Sequence, residues 1–319
     1  MSGAGSQAVA KPGSSARPSF GARFKAWWDG RELGPLPAPK PQPAKPKHEV
    51  RYEAEHPHWE TARLRLVQEV WGEGFATPGG ADFTLHLAKA FALDPAMTVL
   101  DLGAGLGGAT RAMCETFGVW VSGLEADPQL AEAAMDLSTK AGLAKRAAVS
   151  EFDPEAFDMK PNSVDCVFSR EFFHTVENKT DFLKAVEMAM KSRGQLLFTD
   201  YVLAQRGLHS RDLDAWRNAE PRKPHPWSVD DYEEAFAALH MDIRVSEDVT
   251  AQMHHLVTSG WAGYIQAHKG GGLDDDLARA LVEEVEIWTR RMHAMEQGQL
   301  RVYRFHVLKR NTESLMSDW

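Results

Sequence analysis

The chain has 319 residues, 43% of them hydrophobic and 25% charged, enough for one sizeable α/β domain with an elaboration or for two small domains. Its formal net charge of −9 speaks against a nucleic-acid partner, which would call for a basic face. Its two cysteines, Cys114 and Cys166, stand in no CxxC or metal-ligand spacing and read as buried free thiols, so no metal is expected; without a long apolar run or a secretory h-region, a cytoplasmic protein is the expectation.

Residues 1–48 are rich in Gly, Ser, Ala and Pro and end in a proline-punctuated run from Pro35 to Lys47. Such a segment has too little apolar surface to fold, so an extended, disordered tail is expected ahead of a domain spanning 49–319. Within it, Phe20, Phe24, Trp27 and Trp28 fall at helical spacing beside Arg23 and Lys25. Residues 20–28 therefore either pack on their own domain or make a peripheral contact with a membrane or a partner protein. From His56 the pattern turns helical, with Trp59, Ala62, Leu66, Val70 and Trp71 on one face, and a second helix is predicted from Ala81 to Phe91. A short apolar run, Met97 to Leu100, then leads into Asp101-Leu102-Gly103-Ala104-Gly105-Leu106-Gly107-Gly108.

That stretch reads as strand, glycine turn and helix. Glycines meet backbone angles that a side chain resists and let a ligand approach the main chain, and the following helix aims free N–H groups into the turn. A second strand, Trp120 to Glu125, ends in a carboxylate 22 residues after Gly103, where a ribose-binding acid belongs in a nucleotide-type fold. The spelling Gly103-x-Gly105-x-x-Gly108 also fits a nicotinamide-dinucleotide site. Asp101 argues otherwise, because an acid at the strand end repels a pyrophosphate but suits the ammonium of a methionine moiety.

The rest alternates strands and helices. Asp127 caps a helix with Pro128 at its first position, running to about Leu143. Strands are predicted at 147–150, 164–168 and 195–199, with a helix from Asp181 to Met190. From Leu203 to Pro226 the chain is polar and proline-broken, a substrate loop or lid inside an elaboration over 202–298. A helix starts at Ser228, a strand follows at 241–245, residues 248–296 look helical with a break at Gly270–Gly272, and Arg301 to Leu308 alternates as a last strand. A run of such units gives an α/β, Rossmann-like, seven-stranded, mostly parallel sheet with helices on both faces and ligands at the strand C-terminal ends.

Asp101 to Gly108, followed by Gly123-Leu124-Glu125-Ala126-Asp127, resembles motifs I and II of class I S-adenosylmethionine (SAM) methyltransferases; the resemblance covers roughly residues 55–205. It implies SAM as cofactor, with Asp101 at the methionine ammonium, the turn of Gly103, Ala104 and Gly105 along the cofactor, and Glu125 at the ribose. Ala126, Phe152, Thr77, Ser169 and Arg170 complete the implied cofactor set. Asp153 either accepts from the adenine amino group or merely caps the turn at Pro154. Gly72 to Gly80, Ser169-Arg170-Glu171 with His174, and Thr199-Asp200-Tyr201 are similar to phosphoethanolamine N-methyltransferases and their relatives.

That closer resemblance implies a site group of His174, Glu171 and Tyr201, with His174 as the proton acceptor and Tyr201 at the position of a phosphate-binding tyrosine. A histidine's ordinary pKa of about 6.5 suits that work, although His174 and Tyr201 are equally readable as buried structural residues. The family's N-terminal tyrosine is replaced by Trp59, and its later phosphate-binding tyrosines give way to a proline-rich stretch around Arg222 and Pro224. The implied activity is methylation of a small molecule or lipid headgroup, in the first instance at an amine nitrogen. The alternatives are C- or O-methylation of a quinone-like or other metabolite, a SAM-binding regulator without catalysis, and a nicotinamide-linked oxidoreductase.

Overall fold

A computed structural model describes residues 59–269, 271 and 273–310; the N-terminal tail and the reading of residues 20–28 lie outside them. The seven strands are β1 (Thr98–Leu102), β2 (Trp120–Glu125), β3 (Ala147–Glu151), β4 (Val164–Arg170), β5 (Met190–Leu203), β6 (Met241–Asp248) and β7 (Leu300–Lys309). They form one sheet in the order β3-β2-β1-β4-β5-β7-β6. β1 to β5 pair in parallel, whereas β7 runs antiparallel between β5 and β6. This is the Rossmann-like sheet expected from the alternating pattern, closed by the late antiparallel strand.

The helices between strands are α3 (Gly108–Phe117), α4 (Pro128–Lys140), α5 (Lys179–Ala189) and α7 (Val229–Ala238). Their starts follow from local chemistry. Asp127 accepts from the N–H groups of Gln129 and Leu130 at the head of α4, and Ser228 and Asp231 cap α7 reciprocally. Gly142 (φ +73°) turns the chain after α4, so that helix stops at Lys140, short of Leu143. β1 is buried along nearly its whole length and lies mid-sheet, so the turn after it opens at the centre of the sheet's C-terminal edge. Order reverses between β1 and β4, which creates the crevice where such folds bind ligands.

Two expectations are corrected. The stretch from Leu203 to Pro226 is not all loop, for it contains α6 (Arg211–Ala219). The Ser210 hydroxyl accepts from the Leu213 N–H, and Leu213 and Trp216, one turn apart, are buried; two apolar anchors suffice to dock an otherwise polar helix. β5 starts five residues before Gln195, with a register irregularity against β4 between Val164 and Cys166. The helical layer above the sheet edge is α1 (Thr61–Trp71), α8 (Thr250–Ala267) and α9 (Asp275–Glu296), with α2 (Gly80–Ala88) between α1 and β1. Trp71 meets Trp261 of α8 and Trp288 of α9 at ring-centroid distances of 5.7 and 5.1 Å. Three buried indoles thus tie α1 to two helices far along the sequence, each burying a large apolar area.

Candidate active site

Gly103 and Gly105 both have positive φ, +72° and +54°, so the turn after β1 requires them. A Cβ at Gly103 would strike the Phe172 ring at 2.4 Å, whereas at Gly105 it would meet only Ala76, at 3.9 Å. Gly103 packs the turn against the β4 loop, and Gly105 leaves room above the turn. Asp101, nearly fully buried at the end of β1, accepts from the Thr110 hydroxyl at 2.6 Å. Burial pushes its carboxyl up to about 6, with the negative charge of Glu125 adding and the Thr110 hydrogen bond opposing. At the end of β2, Glu125 accepts from the Gly105 N–H at 2.7 Å and from the Asp127 N–H at 2.9 Å. Burial raises its pKa as well, against the pull of these donors and of Arg222.

These groups open on two adjoining spaces. A small one of about 30 Å³ is lined by Thr77, Asp101, Gly103, Ala104, Gly105 and Arg170. The larger, about 390 Å³, runs from Gly103, Gly105 and Glu125 to Glu171, His174 and Tyr201. Four other anticipated residues line neither. Ser169 donates its hydroxyl to the Leu102 carbonyl at 2.7 Å and stitches β4 to β1. Asp153 is exposed and accepts from the Glu155 N–H at 2.9 Å, the work of a turn cap. Phe152 stands behind Phe172, centroids 5.8 Å apart, and Ala126 follows Glu125 half-buried.

After β4 the chain brings Glu171 and His174 to the cavity. Glu171 has φ +47°, an unusual state for a non-glycine residue that costs about 1–3 kcal/mol and concentrates at functional sites. Its N–H donates to the Thr199 carbonyl and its Oε1 accepts from the Thr199 hydroxyl, both at 2.7 Å. Oε2 is buried without a hydrogen bond, although Arg170 Nη2 lies 3.3 Å away. His174 is held by Asp200: its N–H donates to Oδ1 at 3.1 Å and its Nδ1 lies 2.8 Å from the same oxygen. Tyr232 donates its hydroxyl to Asp200 Oδ2 at 2.7 Å. With Nδ1–H committed to a carboxylate, Nε2 carries the lone pair. The Tyr201 ring stands nearly perpendicular to the imidazole at 5.0 Å, and burial raises its phenol above the ordinary value despite Arg291.

The outer wall consists of residues that sequence reading missed. Arg63 of α1 donates from Nε and Nη2 to Glu284 of α9 at 3.0 and 2.8 Å, and the Trp288 indole donates to the same carboxylate at 2.9 Å. Arg291 grips Glu220 through Nε and Nη2, both at 2.6 Å, and Trp216 donates to Glu220 as well. Burial would raise Glu220, but Arg291 outweighs it and holds the carboxyl below its ordinary value. Trp59 also lines the wall, with the Arg63 guanidinium 4.3 Å over its ring. Glu284, Trp288 and Arg291 recur at i, i+4 and i+7 on one helix, the available sequence signal of a shared polar face.

A β3-β2-β1-β4-β5-β7-β6 sheet with a glycine turn between two buried carboxylates defines a class I SAM-dependent methyltransferase fold. A family profile described as "Methyltransferase domain" matches residues 80–240, and the chain belongs to that family. It is 30% identical over 133 residues to phosphoethanolamine N-methyltransferase 2 of Caenorhabditis elegans, a match covering 41% of this chain and 30% of that enzyme. Among solved structures it resembles Haemonchus contortus phosphoethanolamine N-methyltransferase 2 in complex with phosphomonomethylethanolamine and S-adenosylhomocysteine. There the TM-score is 0.69 at 20% identity, over 79% of this chain and 59% of that one. A putative sarcosine dimethylglycine methyltransferase from Galdieria sulphuraria is matched over 98% of its length and 78% of this chain, with TM-score 0.65 and 17% identity.

Proposed function

We propose that this protein transfers a methyl group from SAM to the nitrogen of a small-molecule amine. The observation that carries the reading is a single cavity joining the glycine turn and Glu125 to Glu171 and the Asp200-held His174. The residues fit the cofactor. Buried Asp101 suits its ammonium, and Arg170, whose Nε and Nη1 are buried without hydrogen-bond partners, suits its carboxylate. The room above Gly105 and the carboxylate of Glu125 suit the ribose. When bound, SAM supplies a methyl group on a cationic sulfur, which a nucleophile displaces directly.

The protein's own residues then align and deprotonate. Oε2 of Glu171, which makes no hydrogen bond within the protein, takes an ammonium N–H and fixes the amine in the cavity. Nε2 of His174 accepts the proton that the amine must lose before its lone pair can attack. Asp200, fixed in turn by Tyr232, stabilises the imidazolium so formed. The test pairs calorimetric SAM titration with transfer of labelled methyl to a panel of amines. Micromolar SAM binding with labelled N-methyl product is the expected result, and SAM binding without transfer to any amine would leave a binding protein.

A further inference from the structure

Among the described residues, four guanidiniums line the cavity, those of Arg63, Arg170, Arg222 and Arg291, and their partners decide what the far end of the acceptor can be. Arg63 and Arg291 are each held by a buried carboxylate, Glu284 and Glu220, through two nitrogens. A further anion on either would be forced beside that carboxylate in a water-poor wall, where like charges strongly disfavour each other. Glu220 stays ionised, because Arg291 holds its pKa down. Arg170 lies 3.3 Å from Glu171 and faces the small space beside Asp101. Among the described residues lining this cavity, Arg222 is the cation with no carboxylate within ion-pair distance.

The backbone near Arg222 is held in place. The segment carrying it is pinned beside His174 by the His225 N–H, which donates to the His174 carbonyl at 2.6 Å. Lys179, nearly fully buried, donates to the carbonyls of Val176 and His225. One partly exposed guanidinium balances one negative charge and forms a bidentate pair with a planar carboxylate; a phosphate dianion needs more.

We infer that the methyl acceptor is a zwitterionic amine whose far end is a single carboxylate held by Arg222, and not a phosphomonoester. This rests on the amine-methylating reading above. The test uses the full chain loaded with S-adenosylhomocysteine and measures binding of sarcosine, β-alanine, γ-aminobutyrate, ethanolamine and phosphoethanolamine by calorimetry. At least one carboxylate amine should bind ten or more times tighter than ethanolamine and phosphoethanolamine. Arg222→Gln should erase that advantage while leaving ethanolamine affinity within about twofold. Phosphoethanolamine binding as tightly as the best carboxylate amine, no carboxylate amine binding at all, or an advantage that survives Arg222→Gln would each overturn the inference. A carboxylate amine that binds through Arg222 but is never methylated when SAM replaces the product would bring down the methyl-transfer reading, and with it the role of acceptor, leaving only the carboxylate contact at Arg222.

Discussion

At Asp101, stability and the proposed cofactor contact pull in opposite directions. Burial lifts its carboxyl from 3.8 to about 6, so the native state holds the proton more tightly than the unfolded chain does. The stabilisation that this preference gives is therefore full below about pH 4, fades as pH rises through 6, and leaves an ionised carboxylate costing about 3 kcal/mol at pH 7. Asp101→Asn should melt higher than the wild type at pH 7 by several degrees, at roughly 2–4 °C per kcal/mol, and the gap should narrow to about a third of that near pH 4.5. It should also weaken SAM binding by at least about tenfold, the loss of a charge-assisted hydrogen bond. Thermal melts at both pH values, with and without SAM, check this; a variant less stable at both would show that the Thr110 contact dominates. At His174 the alanine variant should bind SAM normally and lose methyl transfer by ~10²–10⁴-fold, the usual loss of a general base. Retained turnover in single-cycle assays would mean that alignment alone drives the reaction. Asp101 and Glu125 were legible in the sequence because each ends an apolar run beside a glycine turn. The Asp200–Tyr232 support of His174 was not, since it joins loop ends that only the folded sheet brings together.

Among the elements, strands and sheet-covering helices could be read because each carries its own period and caps. The amphipathic α6 escaped notice because only Leu213 and Trp216 anchor it between prolines and charges. The wall of the cavity escaped for a different reason: Arg63 and Glu284 are 221 positions apart, and no local pattern pairs them. Their ion pair joins α1 to α9 at buried positions, so removing Glu284 takes a carboxylate away from a desolvated guanidinium. Glu284→Ala, which also takes the acceptor from the Trp288 indole, should cost about 3–5 kcal/mol. In urea this would appear as a lower midpoint with an unchanged slope. Glu284→Gln keeps one acceptor oxygen, enough for Arg63 or for the Trp288 indole but not for both, and should lose less than alanine. Equal losses from the two substitutions would assign the effect to packing and not to charge.

Over the whole molecule, charge is distributed unevenly along the sequence. Residues 1–48 contain eight Lys or Arg and two acidic residues, a net +6, so the remaining 271 carry −15. The acidic body repels an anionic lipid surface, and the N-terminal segment attracts one. Each basic residue near such a surface contributes about 1 kcal/mol, and if residues 20–28 make the membrane contact, Phe20, Phe24, Trp27 and Trp28 would add apolar insertion to it. The full chain should therefore cosediment with vesicles containing phosphatidylserine and not with purely zwitterionic ones. Binding should weaken as salt shortens the screening length from about 10 Å at 0.1 M to about 3 Å at 1 M. Deleting residues 1–48 should abolish the association and leave SAM affinity within about twofold, because every group assigned to the cofactor lies at residue 77 or beyond. Vesicle binding undiminished by the deletion would move the contact onto the folded domain. Loss of SAM affinity in the truncated chain would show instead that SAM binding depends on residues 1–48.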